Sequence, residues 1–240
     1  MDDAAAEPEP GEAPAGESAG ETPAGGHRQV RFSAPPLATE IVLVRHGETI
    51  AADPAKPFPL VDGHGDPELG PQGREQAEQI ANRLAGGKVD AIYVTTLRRT
   101  NETAAPLAAR IGLTPVVEAG LREVRLGDWE GGLYRHKVIT LDPVAIEMFE
   151  RERWDVVPGA ETNEELARRV RAAIERIAAA HPGGRVVAVS HGGAIGMILS
   201  IATGSRPFAF VAVDNGAIST IVVTADRWFL RGFNDICHLA

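Results

Sequence analysis

The apolar positions of this chain fall into two rhythms. Residues 41–44, 91–94 and 185–190 are short, almost unbroken apolar runs rich in β-branched side chains, the pattern of strands buried on both faces of a parallel sheet. Between them the spacing changes to that of helices. Ala77, Ile80, Ala81 and Leu84 repeat at i, i+3, i+4 and i+7 in a segment that starts near Gln72 and closes at Gly86-Gly87. Leu97, Ala104, Leu107, Ala108 and Ile111 predict a second helix, capped by the hydroxyl of Thr95 or Thr96 and kinked at Pro106. Asp142-Pro143 predicts a short helix that turns Ile146 and Phe149 inwards, and Thr162 with Glu165 forms a capping box before Leu166, Val170, Ala173, Ile174 and Ile177. Pro182-Gly183-Gly184 stops that helix, and Ile195, Ile198 and Leu199 mark another after the third strand. Residues 208–213, the hairpin signal Asn215-Gly216, and residues 218–223 and 228–233 read as antiparallel strands. The alternation predicts an α/β fold: three α/β/α layers, a mainly parallel central sheet with right-handed crossovers, and antiparallel strands at the C-terminal end.

Composition divides the 240 residues in two. Up to Gly26 the chain has seven acidic residues and no Lys or Arg, among Ala, Gly and Pro. Residues 1–36 therefore read as a disordered acidic tail that buries too little apolar surface to offset its chain entropy. Residues 37–240 read as one catalytic domain. A formal charge of −9, from 24 basic and 33 acidic side chains, argues against a nucleic-acid or anionic-membrane partner. No apolar run is long enough to span a bilayer and no signal peptide is recognisable, so a cytoplasmic protein is expected. The one cysteine, Cys237, excludes an intrachain disulfide, and no Cys/His spacing suggests zinc. No cofactor is expected, and a homo-oligomer stays open.

The candidate chemistry lies at strand ends. The first strand runs into Arg45-His46-Gly47 and the third into His191-Gly192-Gly193, the edge of an α/β sheet at which ligands bind. Arg98 and Arg99 sit in the first turn of a helix, where the macrodipole disfavours cations unless an anion faces them. Two histidines, arginines and helix N-termini make a positive pocket suited to a phosphoryl group. Without a Walker-type or Asp-rich metal motif, the imidazole is left as nucleophile and the cations as its clamp. The leaving oxygen then needs a proton, and the charged loop around Trp129 offers Glu123, expected to be kept protonated by partial burial.

Val44-Arg45-His46-Gly47-Glu48-Thr49 resembles the signature of the histidine phosphatase superfamily, with its phosphoglycerate-mutase-like fold. Residues 66–77, 95–104, 121–131 and 190–193 resemble four further blocks of that family, and the resemblance spans residues 41–233. It implies that His46 is the nucleophile, forming a phosphohistidine. It also implies that Arg45, Arg99 and His191 hold the phosphoryl oxygens, with Gly192 in the same block, and that Glu123 is acid and then base. Arg98 is left as a surface residue, and Glu48 and Thr49 as shapers of the loop.

The sequence departs from the family at one position. Mutases and several relatives have a phosphate-contacting Asn six residues after the nucleophile, where this chain has Ala52. The implied activity is a metal-independent phosphomonoesterase for a small phosphorylated metabolite. A phosphoglycerate-type mutase, which Ala52 disfavours, and a catalytically weak phosphate-binding module are the alternatives. His64, Arg125, Arg135, His136 and the helix from Asp142 to Arg153 are candidate specificity elements.

Overall fold

A computed structural model describes residues 29–240. The tail up to residue 28 lies outside the described residues, and residues 34–240 form one compact unit. The centre of that unit is a six-stranded sheet. β1 (Thr39–Arg45), β4 (Ala91–Val94), β5 (Val116–Val117) and β6 (Arg185–Ser190) are parallel; β7 (Ile218–Val223) and β8 (Trp228–Asp235) are antiparallel and extend it beyond β1, giving the order β5-β4-β6-β1-β7-β8.

Both faces of the inner strands are buried, as their unbroken apolar runs require. Ile41 and Leu43 of β1, with Val186 and Ala188 of β6, face one core; Val42, Val44, Val187 and Val189 face the other. The first core is closed by α5 (Asn163–Ala180) and α6 (Gly192–Thr203), the second by α1 (Pro71–Leu84) and α2 (Arg98–Ile111). This is the three-layer arrangement expected from the alternation. Among the described residues, no helix is long and apolar enough to cross a membrane.

Two insertions overhang the carboxyl edge of the sheet. The loop after β1 is pinned by the two-stranded ribbon β2 (Leu60–Val61) and β3 (His64–Gly65). The segment between β5 and α5 contains α3 (Leu133–Ile139) and α4 (Pro143–Arg151). Asp142 caps α4 by accepting from Val144 N–H, and the Thr162–Glu165 capping box opens α5.

Three local expectations are corrected. Residues 208–210 form a turn and 211–213 are irregular, not a strand. Their backbone lies against α6, so close that a Cβ on Gly196 would come within 2.9 Å of the Phe210 carbonyl, and the carbonyl of Val213 is turned to Arg45. α4 buries Ala145 and Met148 and leaves Ile146 and Phe149 exposed; both pairs have i, i+3 spacing, so periodicity did not distinguish the faces. Neither Thr95 nor Thr96 is the N-cap of α2. Leu97 holds that position without a side-chain bond, and Asp66 from the loop before α1 accepts from Arg98 N–H at 2.7 Å, so the cap is supplied from a distance. Pro106 lies within α2, which continues to Ile111.

Candidate active site

The register of the sheet builds the site. In the parallel pairing of β1 with β6, Arg45 stands opposite Ser190, so the next residues, His46 and His191, emerge side by side. Their ring centroids are 5.1 Å apart. Gly47 is required at the turn, because a Cβ there would lie 2.5 Å from the Gly73 carbonyl. Its N–H donates to Thr103 Oγ1 at 3.0 Å, while Asn215 Nδ2 and Gly216 N–H hold the His46 carbonyl from the far side.

His46 Nδ1 is 2.8 Å from the Gly47 carbonyl. A carbonyl only accepts, so Nδ1 has the proton and Nε2 keeps its lone pair. Burial holds the imidazole well below the usual histidine range, and the Arg99 and Arg45 charges push the same way. The ring is therefore neutral, with an unprotonated Nε2.

Around it stand three guanidinium groups. Arg45 donates through Nη1 to the Val213 carbonyl, and its buried Nε has no hydrogen-bond partner among the described residues. A buried N–H left unpaired costs about 1–3 kcal/mol, a cost relieved when an anion docks. That Nε is 3.5 Å from where a Cβ on Gly192 would sit, so it flanks the N-terminus of α6, itself an anion site. Arg99 is buried; desolvation lowers its pKa to about 10, which leaves it charged at neutral pH. The third, Arg135 of α3, donates to the Ile50 carbonyl and to Thr49 Oγ1. Arg98 is exposed and paired with Glu68 and Glu102, the surface role expected of it.

Both ring nitrogens of His191, expected from the resemblance to hold phosphoryl oxygens, have partners within the protein. Nδ1 accepts from Arg99 Nε at 3.2 Å, so Nε2 has the proton and donates to Thr95 Oγ1 at 3.1 Å. Thr95 can pass its own proton to Thr100, whose hydroxyl donates to the Leu97 carbonyl. Burial, then Arg99 and His46, keep this imidazole well below its usual range and neutral. In this arrangement His191 orients Arg99.

Glu123 reaches the same space from the loop after β5. Oε1 accepts from Val124 N–H at 2.9 Å and Ala194 N–H at 3.1 Å; Oε2 has only a 3.4 Å contact with Gly193 N–H. Two of the first three N–H groups of α6 are thus turned to the carboxylate, leaving that of Gly192. A Cβ on Gly193 would be 2.8 Å from Glu123 Oε1, so glycine here leaves the carboxylate its place. The Glu123 backbone is held by Arg169, which sequence reasoning missed, and by His64. Arg169 of α5 donates to the carbonyls of Gly120, Arg122 and Glu123 and pairs with buried Glu161, and His64 Nε2 lies 3.1 Å from the Glu123 carbonyl. Nothing in the α5 pattern marks Arg169, because its partners are carbonyls some fifty residues away.

These groups line a cavity of about 300 Å³ that contains Arg45, His46, Arg99, Glu123 and Gly192. His64 and Arg135 line it as well, whereas Arg125 and His136 are exposed and α4 contributes no lining residue. Tyr134 is a lining residue without a sequence signal; burial and the nearby Glu123 raise its pKa to about 12, so it remains a neutral donor.

Residues 41–236 match the model of the histidine phosphatase superfamily, branch 1. Phosphoglycerate mutase-like protein 4 of Arabidopsis thaliana is 36% identical over 207 residues, 83% of this chain and 86% of the relative. A metal-independent phosphoserine phosphatase of the same plant is 32% identical, covering 84% of each chain. Among solved structures, a mycobacterial glucosyl-3-phosphoglycerate phosphatase in complex with VO3 superposes with a TM-score of 0.68 at 28% identity, over 81% of this chain and 98% of that one.

Proposed function

The chain belongs to the histidine phosphatase superfamily, and we propose that it acts there as a metal-independent phosphomonoesterase working through a phosphohistidine on His46. The observation that carries this reading is the His46 imidazole, neutral and tied at Nδ1, beside a buried Arg45 Nε that lacks a partner among the described residues. His46 Nε2 attacks phosphorus in line, and the bond to the ester oxygen breaks. Glu123, through the less occupied Oε2, gives that oxygen its proton. Arg45, Arg99, Arg135 and the Gly192 N–H draw off the charge spread over the phosphoryl oxygens. Water then loses a proton to Glu123 and attacks the phosphohistidine, releasing inorganic phosphate and neutral His46. The guanidinium groups supply the positive charge for which many phosphoryl-transfer sites use a cation.

The 36% relative has a mutase-like name, but Ala52 favours hydrolysis. It cannot hydrogen-bond the phosphoryl group, and the space beside it is closed by α3: a Cβ on Gly132 would be 2.9 Å from that of Ala52. Phosphate release from p-nitrophenyl phosphate and natural monoesters in excess chelator tests the proposal. Full activity without added metal and competitive inhibition by vanadate are expected; a strict requirement for magnesium or zinc would contradict it.

A further inference from the structure

Beyond the phosphoryl site the cavity is walled by Phe58, Leu126, Trp129, Tyr134, Trp154 and Val211. The rings of Trp129, Tyr134 and Trp154 adjoin one another, with centroids 6.4 and 6.2 Å apart. The polar side chains around this wall are already engaged by the protein. Glu130 accepts from the N–H groups of Leu126 and Gly65, one on each oxygen. His64 has the carbonyls of Asp62 and Glu123 within reach of its two ring nitrogens, and the N–H of a neutral ring donates to one of them. Arg135 is held by the Ile50 carbonyl and Thr49 Oγ1, its guanidinium 5.7 Å from the Phe58 ring centroid; its charge is felt at His46 and Arg45, which puts it on the phosphoryl side. The Tyr134 hydroxyl has no hydrogen-bond partner among the described residues.

A leaving group rich in hydroxyls or carrying a carboxylate would give up its hydration in this space and find one donor. An apolar or aromatic group would gain both from burial and from the ring faces. The volume, about 300 Å³ with the phosphoryl site included, is at the small end for ligand pockets and suits a ring-sized group. Resting on the phosphatase reading, we infer that this enzyme acts on monophosphate esters of compact apolar or aromatic alcohols, with Phe58, Leu126, Trp129 and Trp154 as the leaving-group subsite and Tyr134 Oη addressing one polar atom of that group.

Two readouts test the inference separately from catalysis. The first is the affinity of benzylphosphonate and of 3-phosphonopropionate, followed by the fluorescence of the tryptophans in the pocket wall. The second is kcat/KM for benzyl phosphate against glycerol 3-phosphate, two esters of unactivated alcohols. The benzyl compound is expected to win by at least about tenfold in each, and Phe58→Ser to shrink both ratios. Equal or reversed ratios in the wild-type protein would overturn the inference even if phosphate is released. Tight benzylphosphonate binding with no phosphate released from any ester would contradict the hydrolase reading and leave the ligand preference standing.

Discussion

In the proposed mechanism His46 and Glu123 divide the chemistry between one nucleophile and one acid. Their separate removal should therefore give different signatures. His46→Ala is expected to lower turnover by at least about three orders of magnitude while phosphate still binds, because Arg45, Arg99 and the α6 N-terminus remain. Single-turnover kinetics with equilibrium phosphate binding checks this; activity surviving nearly intact would remove His46 from the role. Glu123→Gln should slow esters of ordinary alcohols most and esters of acidic phenols least, since the latter leave without protonation. Equal losses across leaving groups would remove Glu123 as the acid. Both residues were legible in sequence because each stands in a motif. Tyr134 and Thr95 were not, since a phenol on a helix and a threonine at a strand end take their meaning from side chains on other elements, Glu123 and His191.

The elements do their work through backbone carbonyls. Arg169 ties α5 to the loop bearing Glu123 by donating to three carbonyls, and its charge is matched by buried Glu161. Arg169→Ala should cost roughly 1–3 kcal/mol of stability through unsatisfied polar groups. It should also depress kcat far more than KM, with the same leaving-group dependence as Glu123→Gln. Thermal unfolding and the leaving-group series measure the two effects, and a change in stability alone would reduce Arg169 to a structural residue. The strands and long helices were readable because unbroken apolar runs and 3.6-residue spacing survive tertiary packing. Residues 208–213 were not: they are apolar because they pack beneath α6, which a strand pattern imitates. The cap of α2 was also hidden, since Asp66 reaches it from another loop.

At the scale of the whole molecule, the site is a pair of buried neutral histidines inside a cationic shell. This couples folding to pH. His46 and His191 are held well below their unfolded values, so the unfolded chain binds protons before the folded one does. Stability is then unaffected above about pH 6.5 and falls as pH drops below it, by up to about 1.4 kcal/mol per pH unit for each histidine. Denaturant unfolding between pH 7.5 and 5 should show this slope, and His191→Asn should lessen it; a slope unchanged in that variant would place the titration elsewhere. The convergence of the two strand-end histidines could be guessed from their repeated motif. The parallel register that sets Arg45 opposite Ser190, and so brings the rings to 5.1 Å, could not, because strand order is a property of the assembled sheet. If His46 passes a phosphoryl group from ester to water, as proposed, rapid-quench kinetics with a labelled phosphoester will show a short-lived label on His46 that decays into free inorganic phosphate with no bisphosphoglycerate requirement; label moving between substrate hydroxyls faster than it appears as free phosphate would contradict this transfer.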